Sequence, residues 1–260
     1  MQVHIVYCHP SEDSLTAEVR DAFIRGLVDS GKSYTLSDLY KQGFQTDMTE
    51  QEYLRDAYYN NEPSLSEDVL VEQGRINDAD ALVFIYPVFW TEAPAKLVGW
   101  FDRVWSFGFA YGADGDLASV SATDEGELST AHKATVGGDL ADAQATVESE
   151  SSTARSITAE RALCTTSKIA PMRTLEKVLV IACAGNTKER LIKQGRLQSM
   201  ENVMLDDRIH DRARHKEFVL LGGTDRSEPL RRQSVREMHL ATAYKLGLKL
   251  SQTGCAHPAS

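Results

Sequence analysis

An α/β fold built on a parallel sheet is what this sequence predicts, and three features predict it. The run Ala81-Leu82-Val83-Phe84-Ile85-Tyr86 is continuously apolar, as a central strand covered on both faces should be. Lys177-Val178-Leu179-Val180-Ile181-Ala182 reads as a second strand of the same kind. Strand and helix patterns also alternate along the chain, the rhythm of parallel pairing through crossover helices. At 260 residues the chain is long enough for one large domain with a full core, and a single domain over 1–260 is expected.

Taken in order, Val3–Tyr7 forms the first strand, and Leu15, Val19, Ala22, Phe23 and Leu27 give one apolar face to a helix over Leu15–Val28. Gly31 is placed to stop that helix, and Ser33–Leu36 is a short second strand. Residues 41–66 are polar and aromatic without a clear period. Val69, Leu70, Gln73 and Ile76 then mark a short helix leading into the Ala81 strand. Pro87 cannot donate to a ladder, so Pro87–Trp90 should leave the strand's carboxyl end as a loop. Thr91 is a candidate cap for a helix whose Pro94, Leu97, Val98, Phe101, Val104 and Trp105 share a face. Between Gly112 and Glu217 there is no Phe, Trp or Tyr. The Ser-, Thr-, Ala- and acid-rich 113–173 stretch is therefore expected to be a polar insertion, disordered or an excursion, with a lid or subunit contact as the sharper alternative. A polar helix near Leu197–Leu205, a fifth strand at Phe218–Leu221 closed by Gly222-Gly223, and a terminal helix over Arg231–Leu250 complete the pattern. There is no internal repeat.

Composition narrows the function. A net charge of −10 and a pI near 5.2 argue against nucleic-acid binding, which needs a basic surface. The four cysteines, Cys8, Cys164, Cys183 and Cys255, have neither CxxC pairing nor metal-type spacing, so no disulfide framework, no metal site and a reducing compartment are expected. No apolar run approaches the roughly 20 residues that span a bilayer. With a strand beginning at Val3 and no leader pattern, the chain is expected to be cytoplasmic.

Three loops then fall at strand carboxyl ends, where open α/β sheets bind ligands. Cys8–Thr16 delivers hydroxyls and backbone N–H groups to a helix amino terminus, a candidate phosphate cradle without the glycines of GxGxxG or the P-loop. Ordinary capping by Ser14 or Thr16 explains the same residues, and His9 reads either as a pyrophosphate contact or as a structural hydrogen-bonder. Phe89 and Trp90 are candidates to stack on a flat ring; packing under the insertion or against a partner is the alternative. The Ala182–Thr187 loop converges on the same edge if the sheet has its switch point between strands 1 and 3.

Four motifs in order carry a resemblance: VYCHP-x3-SLT at 6–16, SDLY-x2-GF at 37–44, EQ-x2-I-x2-AD at 72–80, and YPVFW-x3-PAKLVGWFDRVW-x2-GFAYG at 86–112. This combination resembles the flavodoxin-like NAD(P)H:quinone oxidoreductases, closely over 1–112 and more loosely over 174–250. The resemblance implies a three-layer α/β/α sandwich with strand order 2-1-3-4-5. It also implies a flavin, FAD or FMN, with NAD(P)H as co-substrate and a quinone-like acceptor reduced by two electrons in ping-pong turnover. His9, Ser14, Leu15 and Thr16 would surround the phosphates; Pro87, Val88, Phe89, Trp90 and Thr91 would hold the ring. Cys183, Ala184, Gly185 and Asn186 would meet its pyrimidine side, and Tyr111 matches a pocket tyrosine placed for catalysis. Thr16 stands where mammalian members carry Asn, and Ala182-Cys183-Ala184 replaces their Thr-Thr-Gly. A homodimer is implied, to which Trp100 or Trp105 would contribute unless they are core. An electron carrier or redox sensor without nicotinamide turnover is the competing reading, and an interaction protein that kept the fold without the cofactor is a third.

Overall fold

In the computed structural model, which describes residues 1–112, 170–224 and 229–250, five strands run parallel in the order β2-β1-β3-β4-β5. These are β1 (Gln2–Tyr7), β2 (Ser33–Asp38), β3 (Ala81–Pro87), β4 (Leu175–Cys183) and β5 (Ala213–Leu221). That is the predicted order, with the direction of winding reversing between β1 and β3. The helices α1 (Leu15–Asp29), α2 (Glu50–Ala57), α3 (Glu67–Asp78) and α4 (Ala95–Val104) come before β4. After it follow α5 (Lys188–Lys193), α6 (Arg196–Glu201), a π-helix over Asn202–Ile209, and α7 (Pro229–Lys249). The insertion expected at 113–173 lies outside the described residues except for its last four.

Alternation sends the strand side chains to two cores. Val3, Ile5, Tyr7, Val83, Ile85, Leu179 and Ile181 face α1 and α7, where they meet Phe23, Leu27 and Ala243. Val6, Leu82, Phe84, Tyr86 and Val180 face the other way, against Ile76, Leu97, Trp100 and Phe101. Because β1, β3 and β4 are covered on both sides, their apolar runs are continuous rather than alternating. Gly26 and Gly247 let α1 and α7 cross closely: a Cβ on either would collide with the other helix's backbone.

Behind the second core lie two buried polar networks. Glu72 accepts from Ser37 Oγ (2.7 Å), Arg75 Nη1 (2.6 Å) and Trp100 Nε1 (3.0 Å), with the His4 ring 3.5 Å away. Burial pushes this carboxyl upward, but the His4, Ser37 and Trp100 contacts outweigh it and hold it at about 2. A carboxyl depressed from 4.5 contributes stability that is present above the unfolded value and lost as pH falls through the folded one. Lowering pH from about 5 to 2 should therefore cost the protein roughly 3 kcal/mol at this site, and Glu72→Gln should flatten that part of a urea-stability profile. A profile of unchanged slope in the variant would remove Glu72 from the account.

The second network joins α2, α3 and α4. Arg103, 2 % exposed, donates to Glu52 from Nε (3.0 Å) and Nη2 (2.8 Å), to Asp68 (2.7 and 3.1 Å), and to the Gln45 carbonyl (2.8 Å). Glu52 is also the third residue of a capping box: Thr49 Oγ1 accepts from Glu52 N, and Glu52 Oε2 accepts from Thr49 N.

Several expectations need correction. Residues 41–66 contain α2, whose signal was Thr49-x-x-Glu52 rather than an apolar period. Thr91 does not cap α4; Pro94 occupies the N-cap, while Thr91 has φ +68° in the preceding turn. Strand β2 continues two residues beyond Leu36, and β5 begins five before Phe218. The helix expected over Leu197–Leu205 changes register at Asn202 into the π-helix. Trp100 is completely buried, hence core, and Trp105 is partly buried against the same cluster.

Candidate functional site

The carboxyl ends of β1, β3 and β4 bring three loops side by side. Cys8 N donates to Ile85 O (3.1 Å), Val88 N to Cys183 O (2.8 Å), and Ala184 N to Leu221 O (2.9 Å), so each loop leaves the sheet tied to its neighbour. The first reaches α1 through Ser14, whose extended backbone makes it the N-cap and whose Oγ accepts from Ala17 N (3.1 Å). The Leu15 and Thr16 N–H groups at the head of this 15-residue helix have no intrahelical acceptor, and with the helix dipole behind them they form a head suited to an anion. Both proposed roles of Ser14 are thus compatible: it caps the helix and lines its head.

His9 is half-buried, with Nδ1 2.9 Å from the Ser11 carbonyl. Beneath Ser14, the Tyr7 hydroxyl is the one buried side-chain polar atom without a hydrogen-bond partner among the described residues. Burial pushes it up to about 12, while Ser14 and Arg20 pull the other way. Beside the helix head lies a cavity of about 260 Å³ lined by Ser14, Leu15, Glu18, Gly223, Thr224 and Arg236. There the Arg236 guanidinium is held by Glu18 at 2.6 and 3.0 Å.

The second loop is a tight turn. Phe89 N donates to Glu92 O and Glu92 N to Phe89 O, both at 2.9 Å, and the two residues between, Trp90 and Thr91, have φ of +52° and +68°. This is the pattern of a type I′ turn, usually filled by Asn and Gly. A tryptophan and a β-branched threonine there cost about 1–3 kcal/mol each, and such strain concentrates at ligand sites. The turn puts Trp90 at 100 % exposure and Phe89 at 45 %, while Pro87 stays buried and Val88 half-buried.

On the third loop Cys183 and Ala184 are buried, Gly185 is exposed with open space where a Cβ would stand, and Asn186 is half-buried. The Thr16 hydroxyl meets the Cys183 thiol, linking the first loop to the third. Burial pushes the Cys8 and Cys183 thiols up to about 12, so neither supplies a thiolate at neutral pH. Cys164 and Cys255 lie outside the described residues.

Tyr111 is elsewhere. It bridges to Phe107 just beyond α4, which runs back along the sheet, and Met172 N donates to Phe109 O immediately before β4 begins. That is the amino-terminal end of the strands, opposite the three loops. Its hydroxyl is bonded to Asp56, and burial with Asp56 raises its pKa. Sequence reasoning missed Tyr7 and Glu92. Glu92 was signalled by a lone charge in the otherwise apolar or hydroxylic Pro87–Ala95 run, but its partner Arg208, 116 residues away, had no local signal.

These residues suit a planar heteroaromatic group carrying phosphate: an anion-ready helix head over an orphaned hydroxyl, an uncovered indole, and a glycine with open space. Among the described residues no group of three or more His, Cys, Asp or Glu could hold a metal, and no helix is long and apolar enough to cross a membrane.

Comparison with known proteins agrees with the fold. A family model described as a flavodoxin-like fold matches residues 1–174. The chain belongs to this family, within its NAD(P)H:quinone oxidoreductase group. A solved NAD(P)H:quinone oxidoreductase from Methanothermobacter marburgensis is 31% identical, covers 99% of this chain and 99% of its own, and superposes with a TM-score of 0.72. The ribosyldihydronicotinamide dehydrogenase (quinone) of Rattus norvegicus is 31% identical over 157 residues, 52% of this chain and 68% of that one. A ribosyldihydronicotinamide dehydrogenase-like protein from Penicillium crustosum is 32% identical over 126 residues, 43% of this chain and 46% of that one. The chain spans about half the length of the first curated relatives it matches.

Proposed function

We propose that the chain is a flavin-dependent NAD(P)H dehydrogenase of the quinone type, carrying FAD, with FMN as the smaller alternative. The observation that carries this reading is the fully exposed Trp90, held on a strained turn beside the anion-ready head of α1. Leaving such a surface in water is unfavourable unless a flat group covers it. His9, Ser14, Leu15 and Thr16 would hold the phosphates; Pro87, Val88, Phe89, Trp90 and Thr91 the ring; Cys183, Ala184, Gly185 and Asn186 its pyrimidine side. The cavity that extends from Ser14 to Arg236 supports FAD, because it leaves room beyond the helix head.

A bound flavin supplies the two-electron chemistry; the chain binds, orients and shields it. Nicotinamide and a quinone-like acceptor would occupy the same open face beside Trp90 in turn. The nearly complete overlap with the 31% identical quinone oxidoreductase supports this class of acceptor. Tyr111 reaches the crevice only if a second copy of the chain supplies it, in keeping with a homodimer.

Steady NAD(P)H consumption with a soluble quinone tests the reading. Parallel initial-rate lines over a range of both substrates are expected from alternating occupancy of one face. A flavin-loaded protein that leaves NADH and NADPH unconsumed would instead make it an electron carrier or sensor.

A further inference from the structure

We propose that the ion pair between Glu92 and Arg208 is a clamp that holds the Trp90–Thr91 turn in its ring-binding form, so that both are positioning residues; this rests on the flavin reading above. Arg208 belongs to the π-helix, a register that recurs at functional sites. Its Nη1 donates to Glu92 Oε1 at 3.0 Å and to Met204 Sδ at 3.5 Å, and its guanidinium lies 5.0 Å from the centre of the Phe101 ring. The Arg208 carbonyl accepts from Trp105 Nε1 at 2.6 Å, anchoring the same residue to α4 by its backbone. Its side chain is 15 % exposed.

Glu92 is the closing residue of the turn. Its backbone N–H and carbonyl both bond to Phe89, and its Oε1 also accepts from Ala93 N at 2.7 Å. Fixing this carboxylate from two directions fixes the backbone on which the left-handed Trp90 and Thr91 depend. Neither residue is glycine, and the indole of Trp90 is fully exposed, so its packing does not compensate the strain. The clamp therefore ties the β3 loop to the π-helix that precedes β5.

Amide hydrogen exchange of Phe89 and Glu92 in the flavin-free protein, read by NMR, tests this together with FAD and FMN binding. Arg208→Met keeps most of the packed stem, and Glu92→Gln keeps an acceptor for Ala93 N while removing the charge. Both should lower protection of those two amides about tenfold or more and leave that of Val180 in β4 unchanged. Flavin dissociation constants should rise by about tenfold, with Arg208→Lys in between, and the double variant should be no worse than either single one. Unchanged protection in Glu92→Gln, or additive losses in the double variant, would overturn the clamp. If protection falls as expected but the unmodified protein binds neither FAD nor FMN, the clamp stands and the flavin reading fails.

Discussion

Replacing Arg103 by methionine is expected to lower stability by about 3–5 kcal/mol, the usual cost of breaking a buried ion pair from one side. The loss comes less from the missing attraction than from what remains. Glu52, 2 % exposed, would be left with only the Thr49 amide and Ser66 hydroxyl as partners. Burial already drives this carboxyl upward, and chiefly the Arg103 bonds bring it below its usual value. Without them it should take up a proton on folding, and the variant should gain stability as pH falls toward 5 relative to the unmodified chain. Arg103→Lys keeps a charge but not the fork that reaches both oxygens, so it should recover only part of the loss. Arg214→Ala is the comparison, because its pair with Glu176 is about half exposed or more on both sides and worth roughly 0–1 kcal/mol. Urea midpoints measure all three. A cost below about 1 kcal/mol for Arg103→Met would mean that the network does not hold α2 to α3 and α4.

Substitutions at Trp90 should separate stability from binding. Trp90→Ala removes the exposed indole and should weaken flavin binding roughly 10- to 100-fold, the effect of losing one aromatic stacking surface. Trp90→Gly should weaken binding similarly while raising the stability of the flavin-free protein by about 1 kcal/mol, because glycine adopts φ of +52° without strain. Opposite signs in the two measurements are what a strained binding residue predicts. Unchanged flavin content after desalting Trp90→Ala would end the ring-holding role assigned to this turn.

Much of the fold was legible because the signals were local. The continuous apolar runs of β3 and β4 reflect helices on both faces, and the face shared by Leu15, Val19 and Phe23 needed only its own spacing. Helix α2 escaped because its inward residue is Glu52, a charge buried by a distant arginine, and apolar periodicity cannot register that. The three loops were legible as strand ends, and their convergence followed from the strand order. What the sequence could not convey was backbone geometry. Thr91 looks like a helix cap until the left-handed turn is seen, and the Glu92–Arg208 pair joins residues 116 apart. Tyr111 was placed by motif, but α4 carries it to the far end of the sheet, a consequence of helix direction that no motif records.

The most direct test of the central claim is the visible absorbance spectrum of protein reconstituted with FAD, or separately with FMN, desalted, and titrated anaerobically with NADPH and then NADH. Retained flavin is expected, with an oxidised band that bleaches on addition of a nicotinamide and returns when a quinone is supplied. Protein that emerges colourless, or flavin that stays oxidised with both nicotinamides, would contradict it.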